Sequence, residues 1–168
     1  MIIDPNTFER FNAVLTGVIV PRPIAFVSTV SPTGEVNLAP YSFFNAVSYK
    51  NVMFSSSRHV GNKSKDTLRN IEETGEFVVN LATWELREQM NASAVPAPRE
   101  VDEFDYAGLT KSESELVKPP RVGESPVHME CTYTRTVELL TDDAESPNTV
   151  VFGQVVGIHI ADWAIVDG

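Results

Sequence analysis

The sequence is poor in the residues that make most enzyme chemistries legible. It has one cysteine, Cys131, in 168 residues. An intrachain disulfide is therefore excluded, and a lone thiol fits a reducing compartment. The three histidines, His59, His128 and His159, share no metal-ligand spacing, and Cys131 has no second cysteine to join. His128 and Cys131 stand three apart, so on a strand they point to opposite faces and cannot form a thiolate pair. No G-x-S-x-G, P-loop or G-x-G-x-x-G is present, which removes the nucleophile elbow, the Walker cradle and the dinucleotide fingerprint. No apolar run approaches the ~20 residues of a membrane helix. The first ten residues carry Asp4, Glu9 and Arg10 and no basic segment followed by an apolar core, so they do not read as a signal peptide. A soluble, cytoplasmic protein is expected.

Basic charge is scarce as well. Thirteen Lys and Arg face 23 Asp and Glu, for a formal net charge of −10. Such a chain repels a phosphate backbone, which argues against a general nucleic-acid binder. Five of the 13 cations fall between Lys50 and Arg69, namely Lys50, Arg58, Lys63, Lys65 and Arg69. That cluster reads either as the mixed face of a solvated helix or as a site for a small anion.

What is present suits one mainly β domain. The apolar share is 42%, and a chain of this length buries roughly 70% of its unfolded surface. Ile24–Val30 reads as a buried strand, Ser31–Gly34 as a turn, and Val36–Ala39 as the strand returning antiparallel to it. Val52–Ser56 and Phe77–Leu81 are further strands. Leu68 and Ile71 put one apolar face on a helix over Asp66–Glu73, with Gly75 where a C-cap belongs. Trp84–Ala94 reads as a second short helix and Pro96–Gly108 as an irregular, acidic excursion. Met129–Leu139 and Thr149–Ile160 are long strands that reverse near Ser146–Asn148, and Gly153 and Gly157 mark bends of the kind a barrel needs. Strand and helix do not alternate regularly, so an antiparallel barrel is expected rather than a doubly wound sheet.

Three segments carry short polar residues that a core does not require. Arg22-Pro23 leads into Val27-Ser28-Thr29. Asn37-x-Ala39-Pro40-Tyr41-Ser42-Phe43-Phe44-Asn45 offers backbone groups fixed by a proline, which suits the edge of a flat polar heterocycle as well as an ordinary loop. Ser55-Ser56-Ser57-Arg58 is followed by Lys63-Ser64-Lys65-Asp66-Thr67. A helix opening at Lys65-Asp66-Thr67 presents unpaired N–H groups and partial positive charge, and with Arg58 nearby it suits a monophosphate. Equally, Ser64 or Asp66 caps the helix and nothing more. Asp66 is a poor phosphate ligand and reads as the cap.

In this order, these segments resemble the flavin reductase-like family with the FMN-binding split barrel, nearest its flavoredoxin-type branch. Lys65-Asp66-Thr67-x-x-Asn70-Ile71, Glu76-Phe77-Val78-Val79-Asn80, Pro119-Pro120-Arg121-Val122 and Ser125-Pro126-Val127-His128-Met129-Glu130-Cys131 extend the likeness from about residue 15 to the end. The resemblance implies a mainly β fold, a six-stranded antiparallel split barrel with short helices, as a single domain. It implies a homodimer with FMN at the interface, NADH or NADPH as electron donor, and a small-molecule or protein electron acceptor. The implied activity is NAD(P)H-dependent flavin reduction, by hydride transfer to the flavin. The alternative is a flavoredoxin-like electron carrier with no NAD(P)H site of its own. The implied cofactor residues are Ser28 and Thr29 near the ring, Ala39, Pro40, Tyr41, Ser42 and Asn45 along its polar edge or ribityl chain, and Ser56, Ser57, Arg58, Lys65 and Thr67 around the phosphate. Asn80, Trp84 and Asn91 are implied to face a groove from the neighbouring subunit. No dedicated acid or base is expected. Members usually run on past a strand like Val155–Ile160, so a C-terminal tail is expected to be missing here, and His59 departs from the family's usual phosphate loop.

Overall fold

The computed structural model describes residues 2–57, 59–60, 63–139 and 148–166, without the side chains of 57, 59, 60, 63 and 64. Among the described residues, four α-helices, α1 (Phe11–Val18), α2 (Asp66–Thr74), α3 (Arg87–Ala92) and α4 (Glu103–Ala107), accompany eleven strands. The strands are β1 (Ala25–Val30), β2 (Val36–Tyr41), β3 (Phe44–Ala46), β4 (Asn51–Ser57), β5 (His59–Val60), β6 (Lys63–Ser64), β7 (Glu76–Leu81), β8 (Lys111–Ser112), β9 (Arg121–Val122), β10 (Val127–Leu139) and β11 (Asn148–Ile160). Seven of them form one antiparallel sheet in the order β2-β1-β7-β10-β11-β4-β3. The count is seven rather than six because the short β3 pairs Phe44–Ala46 with Val52–Phe54 at one edge.

The curl of this sheet follows from chain connectivity. Its two edge strands, β2 and β3, are consecutive, and only Ser42 and Phe43 lie between them. Laid flat, seven strands would hold those edges about 29 Å apart, whereas the three steps from Tyr41 to Phe44 reach only about 10 Å. The sheet must therefore roll until its edges meet. Tyr41 on one edge lies 4.8 Å from Phe54 beside the other, between ring centroids. The described ladders contain no β2–β3 pairing, so the barrel is split there.

Both faces of β1 are covered, which explains its continuous apolar run. Ala25 and Val27 point into the barrel with Tyr41, Phe54, Phe77, Val79, Cys131 and Val151. Phe26 points outward into a second core with Leu38, Leu86, Phe104, Leu109 and Val122. Helix α2 packs Leu68 and Ile71 against the barrel interior and ends at Gly75, whose left-handed φ of +76° lets its N–H close on the Ile71 carbonyl at 2.9 Å.

Two expectations need correction. The helix expected over Trp84–Ala94 spans only Arg87–Ala92, because Thr83 and Trp84 form a turn closed by the Leu86 and Arg87 N–H groups. The excursion Pro96–Gly108 holds a true helix, α4. Asp102 caps it by accepting from the Phe104 N–H at 2.9 Å, and Gly108 ends it at φ +68°. The reversal near Ser146–Pro147 lies outside the described residues.

Cys131 is buried in the barrel, and burial pushes its thiol up to about 12, so it is inert rather than nucleophilic. The remaining inner space is tight. A Cβ on Gly153 would stand 2.3 Å from Cζ of Phe77 and 3.2 Å from the Thr132 carbonyl. Gly153→Ala should therefore destabilise the fold by about 1–3 kcal/mol. Urea unfolding checks this, and an unchanged midpoint would contradict the packing described.

Candidate functional site

The open edge left by the split is where polar groups gather. A cleft of about 960 Å³ runs along β2, with Asn37, Ala39, Pro40 and Tyr41 on one wall. The first residues of α2 and the Ser93–Glu100 segment supply the rest, with Glu103 below. On β2 the Leu38 N–H turns away from β1 and donates to the Glu103 carboxylate at 3.0 Å. Pro40, two residues on, faces the same way and has no N–H to leave unpaired, which is the position an edge strand tolerates for proline. Burial pushes the Glu103 carboxyl above its usual range, against the pull of its hydrogen bonds from Leu38 and Asn37.

Helix α2 opens onto this cleft. Lys65 is its N-cap residue, in extended backbone, and no side chain caps the helix. The leading N–H groups thus remain available, with the helix dipole behind them. The Lys65 amine lies 5.7 Å from the Tyr41 ring centroid and has no hydrogen-bond or ion-pair partner among the described residues. Burial lowers its pKa from the ordinary lysine value. Thr67 donates to Asn37 Oδ1 at 2.5 Å, tying α2 to β2. The buried Tyr41 phenol, pushed up by burial, sits with the hydroxyls of Thr67 and Ser56.

The expected site residues divide into two groups. Ala39, Pro40, Tyr41, Lys65 and Thr67 line one cleft, and Ser56 is buried beside Tyr41. Others sit elsewhere. Ser28 is buried on the outer face of β1, where its hydroxyl donates to the Pro120 carbonyl at 2.5 Å and accepts from Asn80. Thr29 is buried and accepts from Asn70 at 3.1 Å. Ser42 is half-buried on the link between the sheet edges, and Asn45 is exposed, with Oδ1 accepting from the Ala46 N–H. Arg58 and the Ser57 side chain lie outside the described residues, as does the His59 side chain.

Two further readings change. Asp66 is not the cap; it is the first helical residue, and its carboxylate takes Arg99 Nη1 at 2.7 Å. Asn80 cannot face a neighbouring subunit. It is fully buried, donates to the Phe26 carbonyl and to Ser28, and accepts the Val122 N–H. Trp84 and Asn91 are exposed, and the Arg87 guanidinium lies 4.5 Å from the Trp84 ring centroid. His128 and His159 serve the fold. His128 Nε2 meets the Val122 carbonyl, and His159 pairs with Glu130, a buried carboxylate that also takes the N–H groups of Glu115, Leu116 and Val117. No metal-ligating cluster is found among the described residues.

The sequence model described as flavin reductase like domain matches residues 18–165. The chain belongs to the flavin reductase-like family. An uncharacterized protein of Halalkalibacterium halodurans is 37% identical over all of this chain and 82% of its own length. The crystal structure of nitrilotriacetate monooxygenase component B from Bacillus cereus is 36% identical, with a TM-score of 0.91 over 100% of this chain and 85% of that one. The 2-nitrobenzoate 2-nitroreductase NbaA of Pseudomonas fluorescens is 25% identical, with a TM-score of 0.85 over 98% and 79%. Membership makes flavin oxidoreduction the chemistry of the family site. The residues present fit such a group: an amine with no partner among the described residues and uncapped N–H groups would meet an anionic tail, and an edge strand would meet a planar ring.

A test with a simple anion follows from Lys65 alone. Its amine is charged below a lowered pKa and neutral above it, so anion binding must weaken as pH rises through that value. Sulfate should raise the melting temperature at pH 7, and as pH rises that effect should fade before the pH at which an ordinary lysine titrates, about 10.4. Lys65→Ala should abolish most of the sulfate effect at every pH, and an unchanged effect in that variant would remove Lys65 from the site.

Proposed function

We infer that the chain is an FMN-binding flavin reductase that takes electrons from NADH or NADPH and acts as a homodimer in the cytoplasm. The observation that carries the reading is Lys65, a half-buried amine with no partner among the described residues, beside the uncapped start of α2. A monophosphate would supply both with an acceptor. Lys65 and the leading N–H groups of α2 would hold that phosphate, and Thr67, fixed by Asn37, would set the angle between helix and strand. Ala39, Pro40 and Tyr41 would lie along the polar edge of the ring, with Ser42 and Asn45 at the far end of the same segment. FMN, when bound, supplies the hydride and electron transfer, and this chain's residues bind it, orient it and limit water access.

The chain carries no dinucleotide fingerprint, so a nicotinamide donor would bind on the open side of the cleft without a dedicated nucleotide fold. The nitroreductase among the similar structures favours a small-molecule acceptor. Support for a second copy comes from Ile158 and Ile160 on β11 and from Trp163 and Ile165 beyond it, all more than 45% exposed. A run of that kind suits burial against another subunit.

The test is a visible spectrum of protein purified without added flavin and then reconstituted with FMN, followed by anaerobic addition of NADH and NADPH. Bleaching of bound flavin by either nucleotide is expected and identifies the donor. Flavin that stays oxidised with both would move the protein to the electron-carrier reading. Light scattering on the same sample should give twice the chain mass, and a flavin-retaining monomer would exclude the second copy from the site.

A further inference from the structure

Asp66 is out of place in a phosphate site. Its carboxylate stands on the first residue of α2, where a dianion would meet fixed negative charge. The fold sets one cation against it. Arg99, on the opposite wall of the cleft, donates from Nη1 to Asp66 Oδ1 at 2.7 Å and from Nη2 to Asn70 Oδ1 at 3.0 Å. Asn70 is itself buried and donates to Thr29 on β1, so the guanidinium is anchored to the barrel wall. Two of its N–H groups are used; a guanidinium has five, and the rest have no partner among the described residues.

Charge bookkeeping along the cleft shows what Arg99 changes. The lining holds Lys65, Arg69 and Arg99 against Asp66, Glu100 and Glu103. Arg69 is committed to Glu73 on the exposed side of α2 at 2.9 Å. Without Arg99, Lys65 and Asp66 would cancel at the helix start and the lining as a whole would be negative. With it, the start of α2 carries net positive charge.

We propose that Arg99 is a positioning residue that neutralises Asp66 and thereby selects a phosphorylated flavin over an unphosphorylated one. The proposal rests on the phosphate reading of the Lys65 site. It assigns a role to the Pro96–Arg99 stretch, whose two prolines present Arg99 from the wall facing α2.

Flavin fluorescence quenching measures it, with FMN and riboflavin titrated separately into wild type, Arg99→Gln, Asp66→Asn and the double variant at low salt. Arg99→Gln should weaken FMN roughly tenfold or more and change riboflavin by less than about twofold. Asp66→Asn should bind FMN as tightly as wild type or tighter, and the double variant should return to within about threefold of wild type. Equal loss of both flavins in Arg99→Gln, or a double variant as weak as that single one, would make Arg99 a loop anchor and overturn the proposal. If Arg99→Gln does not fold, Asp66→Asn decides: FMN affinity held or raised supports the proposal, and FMN affinity lost overturns it. A wild-type protein that binds both flavins alike would instead overturn the phosphate reading itself, and this proposal with it.

Discussion

The two-residue link Ser42–Phe43 constrains everything else in this fold. It joins the first and last strands of a seven-stranded sheet, so the sheet must close on itself for the chain to remain continuous. Closure makes an inside, which Phe54, Phe77, Val79 and Val151 fill and α2 plugs with Leu68 and Ile71. The described ladders show no pairing between β2 and β3, so β2 keeps one open edge. An open edge is ordinarily a liability. Here α4 covers part of it through Glu103 and the Leu38 N–H, and the remainder borders the cleft.

The site's electrostatics follow from that placement. The protein carries a net charge of −10, yet the cleft gathers Lys65, Arg69 and Arg99 around the start of a helix. The acid that would spoil this arrangement, Asp66, is answered by Arg99, and the acid beneath it, Glu103, is engaged by β2. A general polyanion still meets a repulsive surface, while a small anion able to enter the cleft does not. Among the described side chains, Cys131 packs in the barrel, His128 ties β10 to the Val122 carbonyl of β9, and His159 on β11 pairs with Glu130 on β10.

Much of the fold was legible in the sequence where a single periodicity ruled. The β1–β2 hairpin announced itself through a buried run and a Ser-Pro-Thr-Gly turn, and α2 through Leu68, Ile71 and Gly75. Lys65 and Thr67 were legible because they open a helix after a run of short polar residues, whereas Ala39 to Tyr41 came from the family resemblance. Other features stayed hidden for physical reasons. Helix α1 sets Phe11, Val14, Leu15 and Val18 at helical spacing, but it is eight residues long, contains Gly17 and buries none of its residues, so the pattern was passed over. Helix α4 spans five residues in a segment whose prolines and acids suggest irregular chain, although Asp102 and Gly108 carried its cap signals. Asn80 and Ser28 resemble ligand-facing polar residues but satisfy each other and the backbone of Pro120 and Val122 within the interior. Arg99 could not be found from local pattern at all, because its partners lie 33 and 29 positions away.

The central claim is that a flavin phosphate sits on the start of α2 with the ring along β2. Amide hydrogen exchange with and without FMN tests it most directly, since a bound acceptor slows exchange at the donors it occupies. The account predicts new protection at Asp66, Thr67 and Leu68, with smaller effects from Ala39 to Ser42. Protection confined to another face, such as the Glu115–Val117 segment held by Glu130, with α2 unchanged, would contradict it.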